Sequence, residues 1–160
     1  MEIESNKAIS RRVFFRQVGT TGAAVAIAGS ALSLAPKAAR ADGVEALIAE
    51  KMGAGEITRG LVSIDTAASA DNGALVRMPV KVDHPMEPDN YIESVGLFVD
   101  NNPKPFVAQY NFTPECGVVD FECRIKMAKT SKVRAIAKTN SGKLYDFVME
   151  IQVAEGGCAG

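Results

Sequence analysis

Three cysteines are the residues of this sequence best suited to covalent chemistry, and their settings differ. Cys158 stands in Glu155-Gly156-Gly157-Cys158-Ala159-Gly160, after a glycine pair and before two small residues. Glycine backbones have few conformational restraints, and a terminal segment without large side chains has little to dock with. Six extended residues reach at most about 20 Å. Residues 155–160 are therefore expected to form a flexible arm that presents the thiol to a narrow cleft in another protein, with Ala159 and Gly160 small enough to leave the entrance clear. An exposed thiol is soon coupled or oxidised in an oxidising compartment, so one kept there points to use rather than to a frayed tail. No Lys, Arg or His lies near Cys158 in sequence, while Glu155 and the terminal carboxylate would raise its pKa. A self-sufficient catalytic cysteine needs the reverse. The pattern predicts a covalent carrier, with no catalytic residue, cofactor or metal site of its own.

Cys116 and Cys123 follow a different logic. A hairpin of 106–112 with 118–128, turning at Pro114-Glu115, would put Cys116 at the turn and Cys123 well along a strand. Seven extended residues span roughly 23 Å, and a disulfide tolerates Cα separations of only about 4.4–6.8 Å. The two are expected to stay unbonded to each other. Cys123 shares a face with Phe121 and Ile125 and reads as a core cysteine, while Cys116 is expected to be exposed and available to pair between chains. Their spacing also argues against a thiol oxidoreductase, which uses Cys-x-x-Cys. A copper module is the main alternative: Met78, His84, Met86 and Cys158 offer soft ligands suited to Cu(I). Met78, however, falls on the apolar side of its strand, and His84 precedes Pro85 in a turn.

The elements that must position these residues are mostly strands. Val76, Met78, Val80 and Val82 alternate with Arg77, Pro79, Lys81 and Asp83. Phe121, Cys123, Ile125 and Met127 do the same, as do Tyr145, Phe147, Met149, Ile151 and Val153. Period two with one apolar side is the mark of a half-buried strand. Segments 57–64, 91–99, 106–112 and 132–138 are less regular strand candidates. Turn signals separate them at Asp71-Asn72-Gly73, 85–90, 101–105, Thr113-Pro114-Glu115 and Asn140-Ser141-Gly142. Before the strands, Asp42 can cap a short helix with Val44, Leu47 and Ile48 on one face and Lys51 near its end. About seven strands at this spacing predict an all-β, immunoglobulin-like sandwich over residues 42–154, with Pro79 on a sheet edge.

The first 41 residues read as an export signal. Ser10-Arg11-Arg12-Val13-Phe14-Phe15-Arg16 sets an arginine pair before two aromatics, and a weakly apolar run of Gly, Ala and Thr follows from Val18 to Leu34. That combination fits a twin-arginine signal, and the run is short for a membrane span of roughly 20 apolar residues. Ala39-Arg40-Ala41 offers a small-x-small site, with cleavage expected after Ala41. The route carries folded proteins, which allows export in company with a partner. The signal takes six of 18 Lys/Arg and two of 19 Asp/Glu, leaving 12 against 17, a net charge of −5. This balance, without a basic patch, argues against nucleic acid. No second membrane segment is visible.

Several stretches together resemble the SoxY family of the thiosulfate-oxidising (Sox) system. They are Asp71-Asn72-Gly73, Met78-Pro79-Val80-Lys81-Val82, His84-Pro85-Met86, Tyr91-Ile92 with Leu97-Phe98, Asn102-Pro103-Lys104-Pro105, Phe112-Thr113-Pro114, Arg124-Ile125-Lys126-Met127-Ala128 and Gly156-Gly157-Cys158. The resemblance implies a periplasmic immunoglobulin-like domain bound to a second small β-protein, SoxZ. It implies that Cys158 accepts thiosulfate-derived sulfur through a haem-containing SoxAX partner. SoxB would then release sulfate, and in some organisms a sulfur dehydrogenase would oxidise what remains. The sequence departs from the family's usual Gly-Gly-Cys-Gly-Gly ending, since Ala159 replaces one glycine. Cys116 and Cys123 lie outside the family pattern.

Overall fold

Alternation along Val76–Val82 demands a strand with one dry face, and Val76, Met78, Val80 and Val82 are indeed all buried. The computed structural model describes residues 38–157. One helix, α1 (Ala38–Met52), leads into nine strands: β1 (Ile57–Arg59), β2 (Val62–Ile64), β3 (Ser69–Asn72), β4 (Val76–Val82), β5 (Ile92–Val99), β6 (Phe106–Asn111), β7 (Val119–Ile125), β8 (Ser131–Thr139) and β9 (Leu144–Glu155). The larger sheet runs β1-β9-β8-β5-β6, with β3 also paired to β9, and the smaller runs β2-β4-β7. The two inner faces enclose the main core, which includes Met78, Val80, Val95, Leu97, Val133, Ala135 and Ile151. The expected immunoglobulin-like sandwich is the observed one, with two extra short strands, β1 and β3, that pair parallel to opposite ends of β9.

The helix covers the outer side of the larger sheet. Val44, Ile48 and Met52, spaced by four residues, present one stripe to Phe98, Ile136 and Leu144. Met52 sits over Gly96, where a Cβ would lie 2.6 Å from its Sδ, so the helix approaches β5 where β5 lacks a side chain. Gly53 ends the helix with φ +103 and an N–H donated to Ala49 O. Asp42 lies inside the helix, not at its cap: the helical turns begin at Ala38, four residues before Asp42. Ala41 is likewise helical.

Two further expectations change. The segments 106–112 and 118–128 do not form a hairpin, since β6 pairs with β5 and β7 with β4. A short 3₁₀ turn, Pro114–Cys116, carries the chain from one sheet to the other. Both strands have aromatic inner faces, which meet across the sandwich instead of lying side by side: Tyr110 and Phe112 stand 4.6 and 5.7 Å from Phe121, ring centre to ring centre. Pro79 lies on the central strand of its sheet, not on an edge. Asp65 N–H donates to Pro79 O at 3.2 Å, but proline cannot return the second bond of that pair, and the β2 ladder stops at Ile64.

Strand β6 forms the outer edge of the larger sheet and carries no charged residue. Beyond the end of β5, Asp100 accepts both Nε and Nη2 of Arg134 at 2.8 and 2.9 Å. The carboxylate raises the pKa of the guanidinium above its usual value. Among the described residues, every buried side-chain nitrogen and oxygen has a hydrogen-bond partner.

Candidate functional site

Stretches far apart in sequence meet where β9 ends. β3 lies parallel to the last part of β9, with Ser69 opposite Gln152 and Asn72 opposite Glu155. Asn72 Oδ1 accepts the N–H of Ala74 at 2.7 Å, bending the chain at Gly73. Three backbone hydrogen bonds then link the segments in turn. Gly73 N–H donates to Glu155 O at 2.8 Å, Met127 N–H to Gly73 O at 2.7 Å, and Gly157 N–H to Met127 O at 2.9 Å. Behind this ring the buried Asn102 amide holds the 126–128 segment, donating from Nδ2 to Lys126 O at 2.8 Å and accepting Ala128 N–H on Oδ1 at 2.9 Å. Thr130 Oγ1 accepts the N–H of Val153 at 2.9 Å.

The backbone is thus paired through Gly157, whereas a free arm was expected from Glu155. Glycine allows this because the neighbouring chain comes too close for a side chain. Two open clefts flank the seat. One of about 320 Å³ is lined by residues of β3 and β9 with Thr130. The other, about 610 Å³, lies between the helix and the 100–105 loop, with Ala128 and Lys129 on its wall. Cys158, Ala159 and Gly160 lie outside the described residues, as do Arg11 and Arg12. Gly73, Asn102, Met127 and Ala128 were not singled out as site residues. Their stretches are among those that carry the family resemblance, while locally Asp71-Asn72-Gly73 and the loop at 101–105 read as ordinary turns.

The other two cysteines are free thiols. Cys116 is exposed and Cys123 half-buried, with its Sγ 3.8 Å from Met78 O. Cys123 is thus less enclosed than a core cysteine, because β7 is an edge strand. Burial pushes its pKa up, against a smaller lowering by Tyr110. Since the thiolate is the reactive form, native protein treated with iodoacetamide at neutral pH should be alkylated at Cys116 at least about tenfold faster than at Cys123. Peptide mass spectrometry reads this ratio directly, and equal rates would contradict it.

The copper alternative loses a ligand, because Met78 has no exposed surface and packs in the main core. His84 is half-buried with Nδ1 2.7 Å from Pro85 O. Among the described residues no three His, Cys, Asp or Glu side chains cluster as metal ligands. Among them, too, no helix is long and apolar enough to cross a membrane.

Residues 48–158 match the family described as sulfur oxidation protein SoxY, a span that ends on Cys158. The fold is similar to that of the sulfur carrier protein SoxY from Chlorobium limicola f thiosulfatophilum, at 28% identity and a TM-score of 0.60, covering 71% of this chain and 97% of that one. A superoxide reductase (neelaredoxin) from Ignicoccus hospitalis shares the fold at 21% identity and TM-score 0.53, covering 59% and 80% of the two chains. A putative superoxide reductase from Thermotoga maritima does so at 20% identity and TM-score 0.50, covering 62% and 89%. No curated protein sequence gives a match. With the family's pattern spanning most of the sandwich and the glycine-cysteine stretch beyond it, the chain belongs to the SoxY family of sulfur oxidation proteins.

Proposed function

We propose that this chain is a periplasmic sulfur carrier, exported by the twin-arginine route, that holds thiosulfate-derived sulfur covalently on Cys158. The observation that carries the reading is the family match, which runs through the sandwich to Cys158, directly after the paired glycines. In the loading step the thiol loses its proton and the thiol and thiosulfate together lose two electrons. A sulfur–sulfur bond forms, giving Cys–S–S–SO₃⁻, with the electrons passing to a haem partner of the SoxAX kind. Hydrolysis by a SoxB-like enzyme consumes one water and releases sulfate and protons, leaving a persulfide on Cys158. A sulfur dehydrogenase then acts on that persulfide where the organism has one. The chain itself does not catalyse these steps, and covalent attachment keeps the intermediate from diffusing away between them. Gly156, Gly157, Ala159 and Gly160 give the thiol its access.

A stable partner of the SoxZ kind fits the sandwich. Unpaired edge strands invite pairing, and monomers usually blunt them with charge or proline. β6 has neither, so a second β-protein covering it accounts for its composition.

Protein taken from thiosulfate-exposed periplasm tests the reading. Its intact mass should exceed that of the reduced chain by a sulfur or thiosulfonate adduct, removed by reductant and mapped to Cys158. A bare thiol in the presence of the haem partner would overturn it.

A further inference from the structure

The larger of the two clefts beside the seat has an apolar lining and pinned walls. Val44 and Leu47 come from α1, Pro103 and Pro105 from the 100–105 loop, and Ala128 and Lys129 from the segment after β7. Asn101 ties the loop to that segment, its N–H donating to Ser131 Oγ and its Nδ2 to Thr130 O, each at 2.9 Å. The Asn102 amide adds the bonds to Lys126 and Ala128. At about 610 Å³ the space falls within the range of pockets that enclose a ligand. Its rim is positive. Lys104 stands exposed between the two prolines, and Lys129 is exposed on the other wall. Among the described residues neither lysine joins an ion pair. Asp100, the one acidic residue of the lining, is held by both of its hydrogen bonds to Arg134.

We propose that this cleft docks an acidic segment of the enzymes that act on Cys158. One large apolar side chain of the visitor enters between α1 and the loop, and carboxylates beside it meet Lys104 and Lys129. The identity of the visitor rests on the reading of Cys158 as the sulfur-bearing residue. Location supports it, because the cleft shares Ala128 with the seat. Gly156 lies against Ala128 O, and Cys158 follows two residues later in sequence. A visitor held at the cleft meets the thiol as an intramolecular partner, at an effective concentration that free encounter does not reach. The apolar pocket supplies affinity, while the two exposed lysines steer the approach and reject a basic surface. A rim of this kind lets several enzymes use one body, provided that each carries the same short acidic and apolar pattern.

Titration of the whole purified protein with the end-blocked peptide Glu-Asp-Leu-Asp-Glu, followed by amide NMR, tests this. Shifts should centre on residues 43–47, 101–105 and 128–129. Affinity should fall at least about threefold between about 0.05 and 0.5 M salt. Joint replacement Lys104→Glu and Lys129→Glu, both at exposed positions, should weaken binding at least about tenfold. In a reconstituted sulfate-releasing system the same double variant should raise KM for the loaded carrier at least about tenfold with kcat unchanged. An absence of shifts at about tenfold excess over millimolar protein, shifts elsewhere on the sandwich, or full binding by the double variant overturns the site. Equal binding of a lysine-for-acid peptide overturns it too. Equal shifts from inorganic thiosulfate, or from the peptide with glycine in place of leucine, would reduce it to a plain anion site and overturn segment docking. An unchanged KM would overturn the assignment to these enzymes. Peptide binding by a chain that never gains sulfur would leave the cleft standing and remove the carrier reading. Sulfur on Cys158 without peptide binding would do the reverse.

Discussion

Cys158→Ser is expected to stop thiosulfate-dependent sulfur oxidation, with a loss of at least about a thousandfold, the scale seen when a covalent nucleophile is removed. Serine matches cysteine in shape but cannot form the sulfur–sulfur bond on which the proposed carrier cycle depends. No other thiol stands ready to replace it. Cys123 is half-buried with a raised pKa, and Cys116 lies in the turn before β7, a part of the chain separate from the paired glycines. Oxygen uptake or sulfate release in a reconstituted system measures the effect, and denaturant unfolding should show no change in stability. Activity within about tenfold of the unaltered protein would mean that sulfur travels on another group.

Phe98→Ala should cost about 3–5 kcal/mol of folding free energy, the usual range for deleting a buried aromatic ring. Phe98 has no exposed surface and joins α1 to the larger sheet, against Val44, Ile48, Met52, Ile136 and Leu144. Its ring also tilts onto Phe106 at 5.5 Å. β5 cannot move into the space without breaking strand pairing on both its sides. Equilibrium urea unfolding reads the loss as a lower midpoint at unchanged slope. The fraction that remains folded should still take up sulfur on Cys158, which separates this effect from that of Cys158→Ser. A cost below about 1 kcal/mol would show that the helix is not held through this ring.

Legibility in the sequence followed solvent exposure. β4 alternates cleanly because one face is dry and the other wet. β5 does not, since the second sheet covers one side and α1 the other, so Val95 through Val99 are all buried and the period disappears. All three β1 residues are exposed, and β3 is made of small and polar residues. Only their register against the distant β9 makes them strands, and no local pattern encodes that. The candidate strand at 57–64 therefore concealed a break at Gly60-Leu61, where φ is positive at both residues and the chain changes sheets. The site was legible as a cysteine beside glycines, but its seat was not. A glycine that is free to move and a glycine that is tightly fitted are the same letter. Only the approach of Ala74, Met127 and Ala128 separates the two.

The length of β9 has a mechanical consequence. On the proposed carrier reading, a partner that draws Cys158 away in line with β9 would pull on a twelve-residue strand, about 40 Å of continuous backbone. Eight residues of β8, Ser131 to Lys138, face it in register, and β1 and β3 grip its other side at the two ends. Tension along the strand loads these rungs together, in shear, so no single one bears the whole force. The bonds at Gly157 and Glu155 instead meet the load one after another, like a zipper opened from its end. The chain is built to yield first at the glycines and to keep its sandwich intact while it is pulled.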